Sequence, residues 1–324
     1  VKQFDKPRIF ISKCLGQANC RYDGTTINSD VVEGLGPFVE YITACPEMDI
    51  GLPAPREALR IIRNEDKIDR IVNSKSGLDM TEKMQVFSAD FLGKLKDQDL
   101  DGFILKDRSP SCGIGDVKIY KSAGKSDSLP GKTTGIFGAY ALNAFPNVPL
   151  ETEGRLLNFN IREHFMIRVF TMRDFKKVKA SGKMSNLVAF HASNKYLLMA
   201  FSQKHLSALG KLTANHERRP FEAIVSDYEA ILVQAMEKPL STQRNINVLL
   251  HVLGYFKQDL NSAEKSFFLE NLELYHQKRI PFSVMLSILK SWIVRFDTHY
   301  LKDQTLFEPF PATLFQVTDS GKGI

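Results

Sequence analysis

The chain has 324 residues, 43% hydrophobic and 25% charged, with a formal net charge of +6. This is ordinary globular composition, and no apolar run reaches the ~18 residues that a membrane span needs, which excludes a helical membrane protein. At about 150 residues per domain the length suits two domains. The opening VKQFDKPRIFISK has no long apolar stretch before a small-residue cleavage site. It does not read as a secretory signal, and a reducing cytoplasm is the expected compartment.

In chain order, RIFIS (8–12), FVEYITA (38–44) and GFILK (102–106) read as short buried strands. Between them, 56–72 and 81–97 carry apolar residues at helical spacing. Strands alternating with helices predict an α/β class, a Rossmann-like domain with a mainly parallel sheet, running through GIFGAYALNAFP and ETEGRL and assigned to 1–172. The polar, basic stretch 173–186 reads as a connector. From 187 to 312 the strand signals fade, and periodic stretches at 187–214, 221–237, 243–258, 262–277 and 282–300 predict an all-α helical domain. Prolines in RRPF (218–221) and RIPF (279–282) mark helix starts, and 313–324 is a tail. Residues 1–150 carry 20 basic and 20 acidic residues, whereas 151–324 carry 23 and 17. The whole excess therefore lies in the second part, as in polyanion-binding halves.

The four cysteines, Cys14, Cys20, Cys45 and Cys112, all fall in the first third of the chain. In a reducing compartment such a group points to metal binding or catalysis rather than disulfides, with small buried hydrophobes as the plain alternative. Cys14, Cys45 and Cys112 each follow the C-terminal end of an expected strand. Open α/β sheets bind ligands at that edge, so three thiols distant in sequence are expected to converge. Structural zinc normally takes four ligands with paired C-x₂₋₄-C spacing, which is missing here. Soft thiolates suit iron–sulfur clusters, usually with four cysteines. Three would leave one iron open for chemistry. Cys20 is read as a packing residue, with the fourth ligand as the alternative.

CLGQANCRYDG (14–24), CPEMDIGLPAPR (45–56) and ILKDRSPSCG (104–113) resemble the three signature blocks of the TudS-like desulfidases, and GIFG (135–138) and EGRL (153–156) continue the likeness. The resemblance implies a [4Fe-4S] cluster held by Cys14, Cys45 and Cys112, with one iron free to take sulfur from a thiolated pyrimidine. VAFHASNKYLLMAFSQ, NVLLHVLGYFKQDL and HYLKDQTLFEPFP resemble a second, uncharacterised family of the YbgA type. The pair is similar to the two-domain desulfidases that act on 4-thiouridine in tRNA. Only Gly24 stands where a glycine pair is expected after RYD.

Glu47, two residues after Cys45, is the expected acid/base; capping the next turn or pairing with Arg56 is its ordinary role. Ser109 and Ser111 are candidates to orient the pyrimidine, or to serve their own turn. Lys106, Arg108 and Arg21 are candidates to hold phosphate or a developing anion. Asp23 joins Arg21 and Arg108 among the substrate-binding candidates, with an Asx turn as its ordinary role. Lys176, Lys177, Lys179, Lys183, Lys195, Arg218 and Arg219 are the candidate tRNA contacts. The expected reaction is a non-redox desulfidation of 4-thiouridine in tRNA. Free 2-thiouracil or thionucleosides are the alternative substrates, and a non-catalytic iron–sulfur sensor or RNA-binding protein is the other class. PGKTTG (130–135) fails as a P-loop because Ser126 stands where its first glycine belongs. His191 and His251 read as core or interhelix residues.

Overall fold

The computed structural model describes residues 2–64 and 68–314. The chain divides into two units: one runs to Arg173 and takes in the residues from Pro311, and the other is Asp174–Phe310. The first unit forms β1 (Arg8–Ser12), α1 (Asp30–Leu35), β2 (Glu40–Ala44), α2 (Pro46–Asp49), β3 (Leu59–Arg63), β4 (Asp69–Asn73) and α3 (Thr81–Leu95). It continues with β5 (Gly102–Leu105), β6 (Val117–Tyr120), β7 (Ser128–Thr133), α4 (Ile136–Ala144), β8 (Leu150–Thr152) and the start of α5 (Phe159–Ser181).

Strands β2, β1, β5 and β8 form one parallel sheet in that order. Ile9, Phe10 and Ile11 are wholly buried, as are Phe103 and Ile104, because helices cover both faces of such a sheet. Side chains alternate along each strand. Phe10, Phe103 and Leu105 therefore share one cluster with Leu92 and Leu95 of α3 and Phe137 of α4. Gly102 faces the other way, where a Cβ would stand 3.0 Å from Val169 and 3.2 Å from Phe165; the missing side chain lets α5 lie close on the sheet.

The helix expected over 56–72 is instead an antiparallel hairpin of β3 and β4, within a second sheet of order β4-β3-β6-β7. The apolar residues of LRIIR and DRIVN satisfy a helical and a strand period about equally, and cross-strand contacts decide between them. Ile61 pairs with Ile71, and Arg63 faces Asp69 with Nε–Oδ1 and Nη2–Oδ2 bonds of 2.5 and 2.8 Å. Such pairs set strand register. PGKTTG contributes to β7, at the edge of this sheet.

The expected connector 173–186 is also corrected. Helix α5 runs through it to Ser181, because Phe175 and Val178 continue its buried stripe. Gly182, at φ +64°, then ends the helix, a conformation that glycine adopts without steric cost. Downstream lie α6 (Met184–Ser193), α7 (Lys195–Phe201), α8 (Gln203–Ala214), α9 (Phe221–Ala235), α10 (Thr242–Leu253), α11 (Ser262–His276), α12 (Phe282–Arg295) and α13 (His299–Lys302). The chain is thus a mixed α/β unit followed by an all-helical region. Phe175 stacks on Tyr228, and His191 Nδ1 lies 3.1 Å from the Tyr228 hydroxyl. His251, expected inside, is exposed on α10. Of the expected tail, residues 315–324 lie outside the described residues. No helix of the described residues is long and apolar enough to cross a membrane.

Candidate functional site

The chain leaves β1 toward β2 on one side and leaves β5 toward β8 on the other. Neighbouring strands whose connections diverge open a crevice above their C-terminal ends. A cavity of about 390 Å³ lies there. Cys14 reaches it from the turn after β1, Cys45 from the end of β2, and Cys112 from the turn that follows β5.

Each thiol is held by its own local structure. Cys45 caps the short helix α2, with Pro46 in the first helical position and the Cys45 amide donating to Asp49 Oδ2 at 3.1 Å. Ser109 Oγ accepts from the amides of Ser111 (3.3 Å) and Cys112 (3.1 Å), which folds the SPSC turn. Ser109 therefore serves its turn, the ordinary alternative noted for it. The GIFG block supports the same turn through close backbone approach. A Cβ on Gly135 would stand 2.5 Å from the Ser111 carbonyl oxygen, and one on Gly138 2.8 Å from that of Gly113.

Cys20 is buried, as a packing residue would be, and it lines the cavity beside the other three thiols. The Cys45 thiol donates to the Cys20 carbonyl at 3.6 Å. The neighbouring Cys14 thiol and burial push the Cys20 thiol up. Burial pushes Cys45 up to about 12 and raises Cys112 as well. Unligated, these sulfurs stay protonated; a bound metal reverses that balance and takes thiolates outright. Among the described residues, no three His, Cys, Asp or Glu side chains stand as close together as the ligands of one metal ion. Ligands at different corners of a cluster bind different irons and stand further apart. A soft, all-sulfur donor set spread around one cavity suits such a cluster.

Glu47, on α2, faces this cavity with its two oxygens differently engaged. Oε2 accepts from Arg56 Nε at 2.9 Å and Nη2 at 2.6 Å, while Oε1 accepts the Ser111 hydroxyl at 2.8 Å. The pairing with Arg56 foreseen as its ordinary role and the placement at the thiols both hold. Ser111 is wholly buried.

Lys106 lines the cavity but is not a free cation: Nζ lies between the carboxylates of Asp107 and Glu153. Burial opposes its charge, and the two carboxylates more than offset that, holding its pKa above the usual range. Burial and the Asp107 contact push Glu153 up to about 7, against the pull of Lys106. The Asp107 amide donates to Glu153 Oε2 at 2.7 Å. Arg21 and Arg108 line the cavity. Asp23 is absent from its lining; it closes an Asx turn by accepting from the Thr25 amide at 3.1 Å, and Arg21 Nη2 lies 3.4 Å from it. Sequence reasoning missed Asp107, Glu153 and Tyr22, and foresaw Arg56 only as a partner of Glu47. Tyr22 and Arg56 sit inside blocks already singled out, which was the available signal.

Together, fold and site define an α/β domain that presents cysteine thiols, a buried carboxylate and a serine at the switch point of a parallel sheet. The family model described as 2-thiouracil desulfurase matches residues 9–153, and the one described as a protein of unknown function (DUF1722) matches residues 195–311. The uncharacterized protein YbbK of Bacillus subtilis (strain 168) is 35% identical over 133 residues, covering 40% of this chain and 87% of its own. The uncharacterized protein YbgA of Escherichia coli (strain K12) is 24% identical over 151 residues, covering 46% and 89%. Among solved structures, the [4Fe-4S]-dependent thiouracil desulfidase TudS is 29% identical with a TM-score of 0.37, over 47% of this chain and 93% of that one. The chain belongs to the 2-thiouracil desulfurase family.

Proposed function

We propose that the chain is a [4Fe-4S]-dependent, non-redox desulfidase that converts 4-thiouridine in tRNA to uridine. The observation that carries this reading is the single cavity shared by the thiols and by the Glu47–Ser111 pair. Cys14, Cys45 and Cys112 would hold the cluster, and their all-sulfur character fits it. When bound, the cluster supplies an iron as Lewis acid and as acceptor for the departing sulfur.

The chain's own residues supply the rest. Thiocarbonyl and water give carbonyl and hydrogen sulfide, so the carbon keeps its oxidation state. Glu47 takes the proton of the attacking water at Oε1, beside the Ser111 hydroxyl that holds that oxygen in place. The half-exposed ring of Tyr22 offers an aromatic face at the cavity. Lys13, Arg21 and Arg108 also line the cavity, Arg21 beside Asp23 and Arg108 beside Asp107, whereas Lys106 is held between two carboxylates.

For tRNA as substrate, the support is the charge of the second unit, with 18 basic and 13 acidic residues, and the match of a further domain over 195–311. The base would have to leave its stack to enter a crevice. A second reading, free 2-thiouracil or a thionucleoside, is favoured by the cavity volume, which suits one small ligand. A third, a closed non-catalytic cluster, draws on Cys20 as a fourth thiol.

One experiment separates them. Anaerobically reconstituted protein is incubated with thiolated tRNA and with free 2-thiouracil, and the near-UV thiocarbonyl absorbance is followed. Loss with tRNA supports the proposal, loss with the free base alone supports the second reading, and no loss with either supports the third.

A further inference from the structure

We infer that Arg56 is the positioning residue of this site: it acts through Glu47 by fixing which carboxylate oxygen faces the reacting groups. The inference rests on the reading of Glu47 as acid/base.

The guanidinium is itself held from several directions. Its side chain is 5% exposed. Nη1 donates to the Cys20 carbonyl at 3.0 Å and to the Pro53 carbonyl at 3.1 Å. The Arg56 amide donates to the Tyr22 carbonyl at 2.7 Å. The plane of the guanidinium is therefore set by the backbone carbonyls of Cys20 and Pro53 before Glu47 is considered. A guanidinium presents its donors in a rigid fork. Here the remaining two, Nε and Nη2, converge on a single oxygen, Oε2, instead of spanning both. That leaves Oε1 for the buried Ser111 hydroxyl. Lysine, a point charge on a flexible stem, would neutralise Glu47 without choosing between its two oxygens.

The test uses Arg56→Gln and Arg56→Lys, each in the parent and in a Glu47→Gln background, with cluster content measured by iron and sulfide analysis. Misplacing a catalytic group by about 1 Å costs about 10²-fold. Arg56→Gln is therefore expected to lower kcat about 10²-fold with KM little changed. In the Glu47→Gln background the same change should cost nothing further, because the group it acts through is gone. Crystal structures of the Arg56 variants should show Glu47 turned away from Ser111.

Equal proportional losses in both backgrounds overturn the inference, as does a Glu47–Ser111 bond that persists in Arg56→Gln. If Arg56→Gln fails to fold, Arg56→Lys decides: parental kcat there overturns positioning by the fork, and a loss that does not recur in the Glu47→Gln background supports it. A parent that desulfidates no thiolated pyrimidine sinks the proposed function instead, and the crystallographic comparison still decides whether Arg56 positions Glu47.

Discussion

Both units carry exposed ion pairs, and the first adds buried ones at its crevice. In the first, ionisable groups close on one another around the crevice: Arg56 on Glu47, and Lys106 between Asp107 and Glu153, with side-chain exposures of 22% or less throughout. In the second, the ion pairs lie nearer solvent, among them Lys179–Glu229 and Arg219–Asp227 at 2.7 and 2.6 Å, and basic residues exceed acidic by five. Exposed pairs contribute about 0–1 kcal/mol each, so the second unit's ion pairs add little to folding, and in the proposed function its basic excess serves encounter with a polyanion. Buried pairs cost desolvation and return geometry, which is what a reacting site needs. The difference assigns chemistry to one unit and, in the proposed function, anchoring to the other.

The largest test of that division removes a thiol. Cys112→Ala is expected to abolish the iron–sulfur absorption of anaerobically reconstituted protein and all desulfidation, while tRNA binding measured by filter retention stays near parental. Persistent absorption would break the assignment of chemistry to the crevice. Next in size is Gly135→Ala. Its Cβ meets immobile backbone at 2.5 Å, so overpacking is expected to cost about 1–3 kcal/mol in denaturant unfolding and to displace the turn that carries Ser111 and Cys112. An unchanged midpoint would remove the steric account of the GIFG block.

The comparison is sharpened from the other side by the combined substitution Lys183→Ala, Lys195→Ala and Arg218→Ala. Lys183 and Arg218 are exposed, and Lys195 lies over the Tyr196 ring at 5.5 Å. Each lost phosphate contact should reduce the slope of log K against log[salt] for tRNA by about 1, with turnover of free 2-thiouracil unaffected. An unchanged slope would place RNA contact elsewhere. The smallest effect concerns pH. The folded Glu153 carboxyl sits at about 7 against an ordinary 4.5, so the folded state binds more protons between those values, and stability falls as pH rises through them. Glu153→Gln should flatten that decline between pH 5 and 8 by a few degrees in Tm. A parallel decline in both proteins would show that the carboxyl titrates normally.

Much of the site was legible in the chain alone, for reasons tied to particular residues. RIFIS and GFILK each carry an uninterrupted apolar run, 9–11 and 103–105, bounded by polar and turn residues, so their strand character needs no partner to be read. Cys14, Cys45 and Cys112 follow such segments, and parallel topology brings strand ends together whatever lies between. Residues 56–72 were not legible, because Ile61, Ile62, Ile71 and Val72 suit either period until Arg63 finds Asp69 across the hairpin. The basic stretch 173–186 looked like a linker because its charges outnumber Phe175 and Val178, although those two carry the buried stripe.

By itself the sequence determined strands β1, β2 and β5, the helical character of the second half and its basic excess, and the convergence of three thiols at a sheet edge. These follow from local period, chain direction and composition, which need no neighbour. Only the tertiary structure decided that Cys20 joins the same cavity, that Lys106 is bound by Asp107 and Glu153, and that Arg56 and Ser111 take separate oxygens of Glu47. Those outcomes depend on which side chains meet across long sequence separations, and on the burial that makes each meeting obligatory.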